Sequence, residues 1–195
     1  MSRKDTKTRQ REIVEATLQL LGESGTQNLT TAGIAERVGI SEAALYRHFD
    51  DKFDIIGSSI EFVGDKMESK LSRVPEGETG IGKLKLVFFR HLEYIEENPG
   101  NARLLFSDDI HFDDEELRKL LKKVVERRRD FIKEIVVEGQ EAGEISAGID
   151  AEGISLMLIG LIQANVLLWS LSGRSYSLKD QSRSLWQAFA ESITR

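Results

Sequence analysis

Apolar positions recur every three or four residues along most of the chain, the spacing of one face of an α-helix. Residues 8–24 set Ile13, Ala16, Thr17, Leu20 and Leu21 on one side, and Gly22 and Gly25 lead into a turn at "GTQN". A second segment, 31–38, starts at Thr31 and turns Ile34, Ala35 and Val38 inward. Gly39 follows directly, where helices commonly end in a left-handed residue that glycine adopts cheaply. Ser41 stands where an N-cap belongs, and 42–48 is expected to form a third short helix, with Leu45 and Phe49 inward. A fourth helix opens near Asp51, where "DKFD" gives a capping aspartate with a second acid three residues on. Its stripe continues through Phe53, Ile56, Ile60, Val63 and Met67.

The clearest break in the pattern is "RVPEGETGIG", 73–82. Beyond it, 83–97 reads as helix with Leu84, Val87, Phe88, His91, Leu92 and Ile95 on one broad face. "ENPGN" closes that helix, and 101–110 reads as a short one. Residues 114–141 form a long helix whose acids come early and bases later, as the helix dipole prefers. Its "ERRRD" run reads as a solvated face. Residues 150–171 are apolar nearly all round, so one side should complete the helix's own domain and the other should meet a second subunit. Gln163 and Asn165 interrupt that run, which argues against a membrane span and leaves either free to pair across a dimer interface. The last helix, 179–194, offers Leu185, Trp186, Phe189 and Ile193. The expected fold is all-α, about nine helices, with no strand and no internal repeat.

Composition narrows the function. Of 195 residues 40% are hydrophobic and 31% charged, the mix of a soluble globular protein. There is no cysteine, which removes disulfides, thiolate chemistry and cysteine-ligated zinc. The start, "MSRKDTKTRQREIVEATLQLL", is charged but lacks an apolar h-region, so a cytoplasmic location is expected. No glycine-rich phosphate loop, metal motif or nucleophile–base pair is visible, so neither an enzyme nor a cofactor is expected. The net charge of −6 is unevenly spread. Residues 1–11 carry five bases and one acid, 1–52 carry eight of each, and 53–195 carry 19 bases and 25 acids. A basic arm on an acidic body can engage phosphates while the body repels DNA from other faces.

Two helices joined by a short turn, the second brief and serine-capped, form a helix-turn-helix pattern at 31–48. The second helix of such a pair enters the major groove with its first residues at base edges, and donors nearby grip phosphates. Here the first turn reads Glu42, Ala43, Ala44; Tyr46, Arg47 and His48 come one turn later. Lys52 lies at the start of the next helix, an unfavourable place for a cation unless an outside anion sits there. Thr31 can offer a hydroxyl or an amide to the DNA backbone.

The stretch "LTTAGIAERVGISEAALYRHFDDK", 29–52, resembles the TetR family of bacterial transcriptional regulators. It carries that family's spacing of Thr30, Ile34, Ala35, Gly39, Ile40, Ser41, Leu45, Tyr46, His48, Phe49 and Lys52. The resemblance implies a helix-turn-helix DNA-binding domain at 1–52 and a helical regulatory and dimerisation domain at 53–195. It implies that a homodimer binds a palindromic double-stranded operator. Thr31, Tyr46, His48 and Lys52 would hold phosphates; Glu42, Ala43, Ala44 and Arg47 would face base edges, and the arm from Arg3 to Arg11 would reach neighbouring backbone or minor groove. Dimerisation is expected through the helices near 150–171 and 179–194. A small apolar or amphipathic ligand, in a pocket drawn from Phe88, His91, Phe106, Phe131, Gln163 and Trp169, would release the operator by thermodynamic linkage. A histidine on an apolar face, His91, could meet a ligand carboxylate. The expected function is a repressor of this kind. The alternative comes from "SEAALYRHF" and "IEFVGDKMESKL", which look like the nucleoid-occlusion division inhibitors of the same family. Those bind many scattered chromosomal sites and act through a protein surface.

Overall fold

The structure, a computed structural model, describes residues 5–25, 29–105 and 114–194. Among them are ten helices: α1 (Thr6–Ser24), α2 (Thr31–Val38), α3 (Glu42–Leu45), α4 (Lys52–Leu71), α5 (Gly80–Glu97), α6 (Pro99–Leu105), α7 (Glu115–Glu141), α8 (Ala151–Leu171), α9 (Leu178–Gln181) and α10 (Arg183–Ile193). They form two compact units, one of residues 1–65 with 98–124 and one of 66–97 with 125–195.

In the first unit, α1 packs against α2 and α6, and α2 against α3. Ile13, Leu21, Ile34, Leu45, Ile55 and Ile60 are buried at its centre, as their helical spacing requires. The α1–α6 contact depends on small residues. A side chain on Gly100 would place its Cβ 1.9 Å from the Leu18 carbonyl oxygen, and one on Gly22 would lie 3.2 Å from the Gly100 nitrogen. Arg103 on α6 donates to the Leu21 carbonyl at 3.0 Å, occupying an acceptor near the end of α1. Asp51 accepts from the Asp54 amide at 2.9 Å, and the Asp54 carboxylate accepts from the Asp50 amide at 3.1 Å. This is the reciprocal cap expected of "DKFD".

In the second unit, α5 packs against α8, α9 and α10. Phe88, Phe89, Trp186 and Phe189 form an aromatic cluster with ring centroids 5.1 to 6.3 Å apart. Lys179 pairs with Glu93 at 2.7 Å, and Glu96 accepts from the Leu178 amide at the start of α9. The backbones of α5 and α7 meet where Gly80 faces Gly139; a Cβ on Gly80 would lie 2.6 Å from the Gly139 Cα.

Four expectations about elements are corrected. The α-helical part of α3 stops at Leu45, and 46–48 are a turn, because the chain leaves the helix to reach the Asp51 cap of α4. Helix α5 starts at Gly80 rather than 83: "GIG" is helix, with a glycine where α7 approaches. Helix α6 starts at Pro99, a residue suited to a first turn, and 106–110 lie outside the described residues. The stretch 179–194 is two helices broken at Ser182, whose hydroxyl is 2.7 Å from the Leu178 carbonyl and 3.3 Å from the Asn165 side-chain oxygen.

Candidate nucleic-acid interface

Local capping fixes the pair α2–α3. The Thr30 hydroxyl accepts from the Gly33 amide at 3.1 Å and starts α2. Gly39 ends it at φ 75°, ψ 38°, a left-handed conformation, with the Ile40 amide returning to the Ala35 carbonyl at 3.0 Å. Ser41 then accepts from the Ala44 amide at 3.2 Å and starts α3. Leu45 and Phe49 are buried beneath it. Gln10 of α1 donates to the His48 carbonyl at 3.0 Å and ties the end of this turn to α1.

The residues expected to meet DNA lie on or beside α3. Glu42, Ala43 and Arg47 are exposed, Tyr46 is 47% exposed despite its size, and Thr31, Ala44, His48 and Lys52 are half-buried. Tyr46, Arg47 and Lys52 make no side-chain hydrogen bond or ion pair with any described residue. Two bases of α1 differ: Arg9 pairs with Glu12 and Arg11 with Glu15, so their charge is locally compensated. Arg3 and Lys4, the tip of the expected basic arm, lie outside the described residues. One link has no signal in the sequence, a hydrogen bond from the Thr31 hydroxyl to the Glu42 carboxylate. It joins the first residue of α2 to the first residue of α3.

The residues expected to hold a ligand are dispersed in the second unit. Phe88 is buried in the aromatic cluster, Phe131 and Gln163 are half-buried, and Trp169 is buried with its indole N–H donating to the Tyr176 carbonyl at 3.0 Å. Phe106 lies outside the described residues. Asn165 is used within its own chain: its amide nitrogen donates to the Leu161 carbonyl at 2.8 Å and its oxygen faces Ser182. His91 is buried, and its Nε2 lies 3.2 Å from an Arg128 guanidinium nitrogen. The "ERRRD" reading is therefore corrected at its middle residue. Arg129 pairs outward with Asp130, while Arg128 turns inward to His91. A separate open groove of about 1050 Å³ has Leu86, Phe89 and Trp186 among its apolar lining residues and Lys85, Arg90, Lys179 and Arg183 as cations; it is lined by none of the expected ligand residues.

One face of α8 remains apolar and exposed. Leu156, Met157, Leu167, Leu168 and Leu171 are each about half exposed or more, Leu171 reaching 75%. The other face, with Ile154, Leu158, Ile162, Val166 and Trp169, is buried. Among the described residues no cluster of His, Asp and Glu could hold a metal ion.

Comparison with known proteins agrees with this architecture. The pattern of bacterial regulatory proteins of the tetR family matches residues 13–57, and that of the YsiA-like protein C-terminal region matches 60–192. The chain belongs to the tetR family, and as such is a DNA-binding regulatory protein rather than an enzyme. It is 31% identical over 160 residues to the nucleoid occlusion factor SlmA of Vibrio cholerae, covering 81% of this chain and 82% of that protein. The SlmA of Photobacterium profundum is 27% identical over 187 residues, 95% of each chain. The transcriptional regulator FadR from Bacillus subtilis, solved in complex with stearoyl-CoA, has the same fold: TM-score 0.79, 23% identity, over 94% of this chain and 98% of that one.

Proposed function

We propose that this protein is a DNA-bound regulator of the nucleoid-occlusion kind, in which a homodimer holds many chromosomal sites and acts through a protein surface. The observation that carries this is the extent of the likeness to the nucleoid occlusion factors. It runs through 187 residues, and so includes the half that decides what a DNA-bound dimer responds to. Residues 1–52 read the DNA. Thr31, Tyr46, His48 and Lys52 hold phosphates, and Ala43, Ala44, Arg47 and Glu42 face base edges. Residues 53–195 dimerise through the exposed face of α8 with α9 and α10, which sets the two heads about one helical turn, roughly 34 Å, apart on the duplex. The uncompensated Arg47 and Lys52 support this assignment, as does the exposed Tyr46.

A second reading is a repressor released from one palindromic operator by a small apolar or amphipathic ligand. It is favoured by one observation, the inward-facing Arg128 beside His91. One experiment separates the two readings. The purified protein is incubated with sheared DNA of its source organism at near-physiological salt, and the retained fragments are sequenced. Dozens of related sites across the chromosome support the first reading, and one or a few palindromes support the second. No enrichment even at low salt would sink both for the free protein.

A further inference from the structure

A guanidinium can only donate hydrogen bonds, so where Arg128 meets His91 at 3.2 Å the imidazole Nε2 is the acceptor and the proton sits on Nδ1. That Nδ1 is enclosed and has no partner. His91 itself is 5% exposed, and burial together with the neighbouring Arg128 holds its pKa well below the usual imidazole value. It is therefore neutral at pH 7. Burial also draws Arg128 down to about 10, which leaves it charged at pH 7. His91 orients the guanidinium without neutralising it, and no carboxylate pairs with Arg128 among the described residues. Arg128 is itself half-buried, and its guanidinium, with one N–H on a neutral acceptor, keeps further donors that an anion can satisfy.

The surroundings describe the rest of the occupant. Helices α5 and α7 touch through their backbones at Gly80 and Gly139. His91 and Arg128 each lie 11 residues from that contact, about 16 Å of helical rise, and there the helices meet through side chains. Val87, Phe88 and Ile95 on α5 and Ile132 on α7, all buried, lie within about one turn of the pair. We propose that the His91–Arg128 pair is the receptor for the carboxylate of an apolar-tailed ligand, whose tail lies among these side chains between α5 and α7. Arg128 binds the carboxylate, and His91 is the positioning residue. This rests on the second reading above, and it names the ligand class that reading lacks.

The test uses the full chain with three probes: decanoate, decanol and inorganic phosphate. Binding is read from the fluorescence of Trp169 and Trp186 and from the shift in Tm. Decanoate is expected to bind at least ten-fold more tightly than decanol, a preference lost in Arg128→Met and kept in Arg128→Lys. Equal binding of decanoate and decanol overturns the proposal, as does a preference that survives Arg128→Met. Phosphate as effective as decanoate also overturns it, by making a free anion the occupant. DNA retention is measured in parallel. Decanoate that binds with the expected preference yet leaves DNA retention unchanged supports the site and removes the ligand-release reading.

Discussion

Gly100 on α6 and Leu18 on α1 are packed so closely that a Cβ at position 100 would lie 1.9 Å from the Leu18 carbonyl oxygen. The obstacle is helix backbone, which cannot rotate away as a side chain could. Gly100→Ala must therefore push α6 off α1, and overpacking of this kind typically costs about 1–3 kcal/mol. Gly153→Ala is the control: its new Cβ would meet only the Asp150 side chain, at 3.5 Å, an ordinary contact. Thermal or urea unfolding should show a clear loss for the first variant and little change or a small gain for the second. Equal stability of Gly100→Ala and the parent chain would contradict the packing described.

DNA affinity should separate from stability at α3. Ser41→Ala removes the cap on the Ala44 amide and should cost about 1 kcal/mol of folding. Tyr46→Phe, Arg47→Ala and Lys52→Ala break no side-chain hydrogen bond or ion pair with a described residue and should leave Tm nearly unchanged while weakening DNA binding. With Lys52 on a phosphate, as proposed, its loss should lower the slope of log K against log salt by about one. A salt titration by fluorescence anisotropy decides it; an unchanged slope for Lys52→Ala would take that residue off the interface.

The Thr31–Glu42 link leads to a different expectation. A carboxylate at the start of α3, where base edges are proposed to lie, repels phosphates, and the Thr31 hydroxyl holds it in one place. Glu42→Gln should raise affinity for non-specific DNA and reduce discrimination at the base it meets. Thr31→Val frees the carboxylate to approach the phosphates, so it should weaken binding to every sequence. Competition between a retained genomic site and random DNA measures both. A Glu42→Gln variant with unaltered discrimination would place that side chain away from the base edges.

The sequence patterns that proved informative were local ones. Gly39, Ser41 and the acids of "DKFD" act on backbone groups a few residues away, so their roles were legible without knowledge of the fold. The break at Ser182 was not, because it involves Asn165 on α8, seventeen residues earlier in the chain. Nor could the sequence show which arginine of "ERRRD" turns inward. Three adjacent residues point in three directions on a helix, and the choice depends on where α5 lies against α7. The residues proposed to face DNA sit on a local motif, so the sequence alone suggests them. The groove beside Phe89 and Trp186 joins α5 to α10 and had no sequence signal.

The exposed face of α8 leads to a prediction about assembly. Leu168 is 61% and Leu171 is 75% exposed in the single chain, on a helix whose opposite face is buried. Contiguous apolar surface of this kind marks an association site. Leu168→Glu places a charge there without entering the core, and sedimentation should show a shift from dimer to monomer. The two heads are then no longer joined, so retention of a two-half-site DNA should fall far more than binding to a half-site. A dimeric Leu168→Glu variant would require another interface.

His91 supplies a prediction about pH. Its folded pKa lies well below the 6.5 of an unperturbed imidazole, because burial and the Arg128 charge both disfavour a second cation. Above pH 6.5 the folded and unfolded chains both hold it neutral, and it adds no pH dependence. As pH falls below that value the unfolded chain takes up a proton that the folded chain refuses, so stability declines with falling pH. His91→Gln removes this linkage while leaving an oxygen that can accept from Arg128. Urea unfolding from pH 7 to pH 5, a range above that in which most carboxylates protonate, should show a loss of stability in the parent chain and a flatter profile in the variant. An equally steep loss in both would assign the dependence elsewhere and show that the folded protein tolerates a cationic His91 beside Arg128.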